Sequence, residues 1–332
     1  MTLSLPEYSV STVTCAFTEA RWDYLVAAVG SLLSQTRQPD EVVLVVDNNP
    51  ELLRRAEVAF RDALVIPNTH SRGASGARNT GSERAVGDIV AFLDDDATAD
   101  PNWLELLLQP FLDDHVVGVG GEARPQWPSA RPVWFPKEFD WVVGCSYAGL
   151  PVVAGPVRNL IGTNMSVRRQ VMASVAGFRE GFGNVVLDPS PDARHTRLST
   201  CEETDFCIRV SQSHGDARWV YEPAAKVQHR VPKDRTTFGY FVARCWLEGQ
   251  GKALLGQLLG PASALGSERD YVRRVLPRGV LRGVADSART GQGAGSLRAA
   301  AIVAGLAATA SSYFIHRFLP GARRGNLSDR VS

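Results

Sequence analysis

What the chain lacks narrows its chemistry first. Its five cysteines (Cys15, Cys145, Cys201, Cys207 and Cys245) are an odd number with no CxxC pair. That reads as reduced thiols in a cytosolic protein rather than a disulfide framework or thiolate zinc site. Gly73 and Gly76 form neither GxGxxG nor a Walker A, which disfavours a dinucleotide fingerprint or P-loop. Met1 to Glu7 has no basic region followed by an apolar core, so no signal peptide is expected. No apolar run reaches the roughly 18 residues that mark a membrane span. Strong net charge is also missing, at +1 overall.

That small charge conceals an asymmetry. From Lys252 onward there are 12 basic and 4 acidic residues, a balance of +8, which leaves −7 for residues 1–251. An acidic body with a basic tail fits an anionic surface as partner. The 332 residues, 44% hydrophobic and 21% charged, suffice for one large α/β domain and an appendage.

Val10–Phe17, Glu41–Asp47, Leu64–Ile66 and Ile89–Leu93 are short apolar runs that read as strands. Helices are expected over Tyr24–Gln35, from Asn48-Asn49-Pro50 to Arg61, and from Gly73 to Ala85. This alternation predicts an α/β fold with a mostly parallel sheet. Two of the strands end in acid, at Asp47 and at Asp94-Asp95-Asp96. The carboxyl edge of such a sheet is where ligands bind. Three adjacent carboxylates cost free energy unless a cation offsets them, so a divalent metal carrying phosphate oxygens is one reading. The other is an acidic loop before a helix capped by Asp100-Pro101. Asp47 can likewise hold a ribose hydroxyl or cap the helix that follows.

Further along, Glu122–Gly155 holds Trp127, Trp134, Phe135, Phe139, Trp141 and Tyr147 among five prolines. It is either an acceptor platform or an aromatic mini-core. Glu202, Glu203 and Asp205 open a helix running to about Ser213, where acids suit the helix dipole or supply a general base. Gly181–Thr200 reads as a flap carrying Arg194 and His195. Phe238–Leu259 reads as a helix. Glu268–Arg298, with seven arginines against three acids, reads as a basic amphipathic stretch. Ala299–Leu319 is compatible with an in-plane membrane helix, a packed helix or dimer contact, or a span. Nucleic acid is disfavoured because the tail has no interleaved aromatics.

Taken jointly, Glu19 after the first strand, Val45-Val46-Asp47, Arg72-Gly73 with Ala77-Arg78-Asn79-Thr80-Gly81, and Phe92-Leu93-Asp94-Asp95-Asp96 resemble the nucleotide-sugar half of family 2 glycosyltransferases. The likeness covers roughly residues 9–125. Asn159–Arg169 and Cys201–Arg209 resemble the family's later blocks. The first strand ends Thr14-Cys15-Ala16-Phe17, where the family usually has Pro-Thr-Tyr. The resemblance implies a GT-A fold, with Ala16, Phe17, Glu19 and Asp47 at the base and ribose. It also implies Arg72, Arg78, Asn79, Asp94 and Asp95 along the donor, and Asp96 and Asp94 on a Mn²⁺ or Mg²⁺ ion. His229 either completes that metal shell or is structural. Thr163 and Asn164 reach the sugar or lie in a buried strand. Arg230 and Arg235 are candidates for the pyrophosphate. Glu203 is the first choice for the base of an inverting transfer, then Asp205, then Glu202.

The expected organisation is 1–125 for donor binding, 126–237 for acceptor binding and catalysis, and 238–332 as a basic helical extension. The expected activity moves a sugar from a nucleoside diphosphate sugar, UDP favoured over GDP, to a glycan or lipid-linked acceptor. Such a chain would be cytoplasmic and peripheral at the inner face of the plasma membrane. A non-catalytic nucleotide-sugar-binding module or a sugar nucleotidyltransferase are the alternatives, and the sequence leaves the oligomeric state open.

Overall fold

The computed structural model describes residues 8–180, 184–185, 197–198, 200–260, 266 and 268–319. Of the expected flap Gly181–Thr200, residues 184–185, 197–198 and 200 are described, and Arg194 and His195 lie outside the described residues. The chain divides into two compact units. The first comprises Met1–Gln126, Gly144–Ser146 and Leu150–Arg230; the second comprises Trp127–Val143, Tyr147–Gly149 and Val231–Ser332.

The first unit is built on β1 (Val10–Ala16), β2 (Glu41–Val46), β3 (Leu64–Pro67), β4 (Ile89–Leu93), β5 (Ala97–Ala99), β6 (Val116–Gln126), β7 (Gly155–Val157), β8 (Asn164–Arg168) and β11 (Arg218–Arg230). Asn184–Val185 and Arg197–Leu198, β9 and β10, form a separate antiparallel pair. The main sheet runs β3-β2-β1-β4-β8-β6-β11-β5, and β7 pairs with β11. Strands β1 to β4 are parallel. Beyond them β8 runs antiparallel to both β4 and β6, so the far half of the sheet is mixed. A parallel sheet covered on both faces needs apolar residues on both, and β4 shows why its run is continuous. Ile89, Ala91 and Leu93 join one core cluster, with Trp103, Leu104 and Phe111. Val90 and Phe92 join the other, with Met165, Phe206 and Trp219.

The flanking helices begin close to where the sequence places them. Helix α1 (Trp22–Leu33) buries Leu25, Ala28, Val29 and Leu32. Helix α2 (Pro50–Ala59) is capped by Asn49, whose side chain accepts from the Leu52 N–H at 3.0 Å. Helix α3 spans Ala74–Arg84. Helix α4 (Trp103–Leu108) gives way to a 3₁₀ turn at Gln109–Leu112, since Pro110 has no N–H to continue it. Helix α5 covers Arg169–Ser174 and α6 covers Glu202–Ser213.

The second unit is helical, comprising α7 (Phe238–Leu258), α8 (Leu276–Thr290) and α9 (Ala294–Phe318). Gly291, at φ 67°, ends α8 in the left-handed conformation that glycine adopts without strain. Trp134, Phe135 and Phe139 pack on Phe241 of α7, with ring centroids 5.2 to 5.5 Å apart. The aromatic stretch is therefore core of this unit rather than an open platform. By length and composition α9 could cross a membrane. It starts before the run Ala299–Leu319 seen in the sequence, which adds a turn.

Candidate active site

The parallel strands deliver their carboxylates to one edge. Asp47 leaves β2 with Oδ1 accepting from Asn68 Nδ2 at 2.7 Å and Oδ2 from the Gly73 N–H at 2.9 Å. It thus anchors the entry to α3, while capping of α2 falls to Asn49. Gly73, at φ 121°, turns the chain there with a backbone few other residues adopt.

The triplet after β4 is held by side chains from β11, α3, the turn after β1 and the residue before β8. Asp94 accepts from Arg78 Nη2 at 3.2 Å and from the Thr163 hydroxyl at 2.9 Å. Arg21 Nη1 lies 2.9 Å from both Asp95 Oδ1 and Asp96 Oδ2. Pairing of β5 with β11 sets Ala97 opposite His229. That register brings His229 Nε2 within 3.1 Å of Asp96 Oδ1. Cys145 Sγ is 3.5 Å from His229 Nδ1 on the ring's other side. The acids do not cap α4, which begins at Trp103 with Asn102 before it.

Burial pushes the Asp95 carboxyl up to about 7, with Arg21 opposing and the Asp96 and Asp94 charges adding. For His229, burial alone would lower the imidazole, but the hydrogen bonds with Asp96 and Cys145 raise it to about 10. Asp95 Oδ2 is buried with no hydrogen-bond partner among the described residues. Ligand atoms of Asp94, Asp96 and His229 lie within 4.8 Å of one another. Two carboxylates and an imidazole make a donor set suited to a divalent cation, and the orphaned Asp95 oxygen marks surplus acceptor capacity beside it.

Arg78 links this group to the second acidic centre. From α3 its guanidinium is 3.2 Å from Asp94, 3.2 Å from Glu203 Oε1 and 3.7 Å from Glu202. A cation among three carboxylates has its pKa raised even against the cost of burial. Glu203 and Glu202 sit in the first turn of α6, entered through Cys201 at φ 75°. A non-glycine residue held there is backbone strain of the kind that gathers at working sites. Gly162 passes so close that a Cβ would collide with Glu203 Oε1 and Arg78.

Three expected site residues are engaged elsewhere. Asp205 is fully buried, with Oδ2 taking Arg209 Nε at 2.7 Å and Oδ1 3.2 Å from Arg179 Nε. Both guanidiniums hydrogen-bond Oδ2, Oδ1 is buried with no hydrogen-bond partner among the described residues, and the pair with Arg209 braces α6. Asn79 clamps the Phe178 backbone by accepting its N–H and donating to its carbonyl, both at 2.8 Å. Asn164 accepts from the Trp103 indole at 2.8 Å and donates to the Ala225 and Glu122 carbonyls at 3.0 and 3.2 Å. Both N–H donors of the Asn164 amide are spent inside the fold, and Asn79 commits one donor and its acceptor oxygen to Phe178. Of the remaining expected residues, Ala16 is buried, Phe17 and Glu19 are exposed beside β1, and Arg72 is half-buried before α3. Arg230 stacks on Tyr24 at 4.3 Å. Arg235 belongs to the second unit and stacks on Tyr240. Arg21 was missed by the sequence reading, and so was Gly162.

The sequence profile described as Glycosyl transferase family 2 matches residues 11–175. A glucosyl-dolichyl phosphate glucuronosyltransferase of Haloferax volcanii is 34% identical over 258 residues, 76% of this chain and 79% of that protein. This chain belongs to glycosyltransferase family 2. The transferase is also 30% identical to the succinoglycan biosynthesis protein ExoM of Rhizobium meliloti, over 63% of its own length and 62% of that protein's. Its fold is GT-A. A mannosyltransferase from Pyrobaculum calidifontis, solved with GDP-Man and Mn²⁺, aligns at TM-score 0.56 and 18% identity. The alignment covers 91% of the transferase and 87% of that chain.

Proposed function

We propose that the protein is a metal-dependent, inverting glycosyltransferase that moves a sugar from a nucleoside diphosphate sugar to a hydroxyl of a lipid-linked glycan. The observation that carries this reading is one buried guanidinium, Arg78, holding both Asp94 of the candidate cation group and Glu203. It sets the group suited to the leaving diphosphate beside the group suited to the acceptor.

In the reaction Glu203 takes the acceptor's hydroxyl proton as that oxygen attacks the anomeric carbon from behind. The bond from that carbon to the diphosphate oxygen breaks, and the nucleoside diphosphate leaves with the electron pair. Arg78 holds Glu203 Oε1 and so orients the carboxylate that takes the proton. Glu202 supports the same arginine. Asp47 and the chain around Ala16, Phe17 and Glu19 take the base and ribose; Arg72, Arg230 and Asp95 lie along the diphosphate and sugar. Asp94, Asp96 and His229 are the residues that would hold Mn²⁺ or Mg²⁺, which would supply Lewis-acid compensation for charge on the departing diphosphate. The imidazole favours Mn²⁺.

On this reading residues 1–125 bind the donor, 126–237 carry acceptor binding and the base, and 238–332 form the basic extension. UDP is the favoured nucleotide. The dolichyl phosphate in the name of the Haloferax relative supports a lipid-linked acceptor, used at the cytoplasmic face of the membrane. Thermal stabilisation by UDP, GDP, CMP and dTDP, each with and without Mn²⁺, tests the donor site. One diphosphate should shift the melting temperature only with metal, and Asp96→Ala should abolish that shift. No shift with any nucleotide, together with no label transfer to polyprenyl-phosphate sugars, would defeat the reading.

A further inference from the structure

The helices of the second unit carry two apolar stripes turned away from their own packing. On α9, Leu297, Val303, Phe314 and Phe318 are each more than half exposed. Their spacing keeps them on one side of the helix, while Ala299, Ile302, Gly305 and Ser312 form the buried side. On α8, Leu281 and Val284 are more than half exposed as well, opposite the buried Leu276, Gly279 and Gly283. Arg278, Arg282 and Arg289 are exposed around that second stripe.

We infer that the α8–α9 hairpin is a docking surface for an anionic lipid bilayer, lying in the plane of the membrane with both stripes against the acyl boundary. Charge selects this occupant. The acids of the region are engaged locally: Glu268 accepts from Lys252 at 2.6 Å, Asp270 is 3.6 Å from Arg274, and Asp286 is 3.4 Å from Arg298. Among the described residues no acid pairs with Arg273, Arg278 or Arg289. A second copy docking on the same face would oppose arginine to arginine, whereas anionic headgroups complement them.

Packing selects the orientation. Helix α9 lies along α7, where Thr309 donates to the Cys245 carbonyl at 3.0 Å and Gly249 leaves room for the α9 backbone. Helix α7 carries Arg244, Glu248 and Lys252 in its middle turns. A spanning α9 would either lose α7 or take those charges into hydrocarbon, which is costly. An in-plane helix with arginines beside an apolar stripe meets neither cost.

The test is co-sedimentation of the full chain with vesicles of phosphatidylcholine alone or with about one-third phosphatidylglycerol, at about 0.1 M and about 0.5 M salt. The chain should pellet with the anionic vesicles, less so at high salt. The exposed pair Val303→Asp/Phe314→Asp should weaken partitioning at least about tenfold with unchanged helical circular dichroism and melting temperature. Arg278→Gln/Arg289→Gln should weaken it about tenfold at low salt and little at high salt. Failure to pellet with either vesicle, or indifference to both double variants, overturns the inference. So does resistance to alkaline carbonate extraction, which would mean a span. A dimer in solution that Val303→Asp/Phe314→Asp dissociates, without vesicle binding, would assign the face to a second copy.

Discussion

Asp140 in the helical unit and Asp95 in the sheet unit are both buried aspartates paired with arginine, yet their surroundings differ in kind. Arg131 meets Asp140 through two parallel hydrogen bonds of 2.6 and 2.7 Å, one to each oxygen. The geometry is closed, and burial raises the carboxyl only against that opposing pair. Asp95 shares Arg21 with Asp96, stands beside a third carboxylate, and keeps a buried oxygen without a hydrogen bond. A bidentate pair satisfies itself and serves the fold. An over-charged cluster with an open oxygen is strained in its ionised form, and a cation relieves it.

The sharpest way to break this contrast is on the open side. Glu203→Gln and Asp96→Ala should each lower kcat by about 10³-fold or more, with melting temperatures within a few degrees of the parent. Loss of folding instead of turnover would erase the distinction. A neutral counterpart inside the same sheet unit is Asn164, whose three hydrogen bonds are all internal. Asn164→Ala should cost about 3 kcal/mol in urea unfolding by leaving the Trp103 indole and two carbonyls unpaired. If it changed sugar selectivity at full stability, the amide would belong to the site. On the closed side, Asp140→Leu strands Arg131, whose side chain is 26% exposed. Water softens that loss to about 2 kcal/mol, below the usual cost of breaking a buried pair, and kcat per folded molecule should hold.

The smallest expected effect is at the surface. His70 sits between Glu83 at 2.9 Å and Glu180 at 2.7 Å, and those hydrogen bonds raise its pKa. A folded-state pKa above the unfolded value of about 6.5 means the stabilisation is complete below that pH and is lost as pH rises through the folded value. His70→Gln should therefore destabilise by less than about 1 kcal/mol at pH near 6 and by nothing measurable near pH 9. Paired melting curves at the two pH values decide it.

How legible this was depended on how far apart the partners lie. The continuous run Ile89–Leu93 announces a strand buried on both faces, and the acids opening α6 announce its first turn, because both are local patterns. Asn79 and Asn164 look polar and available in one dimension, and only partners distant in sequence reveal them as engaged inside the fold. Arg21 carries no mark beyond its place after β1, since the carboxylates it holds are more than 70 residues away. The aromatic stretch was equally ambiguous until Phe241 supplied its other side.

By itself the sequence determined the strand–helix alternation, the acid-ended strands and the basic, arginine-rich tail, because hydrophobic period and charge act over a few residues. Only the tertiary structure decided that β8 would run antiparallel and that His229 would meet Asp96. It also decided that one arginine would join Asp94 to Glu203. Those outcomes depend on which strands pair and in what register, and pairing is a competition among distant segments for the same buried surface.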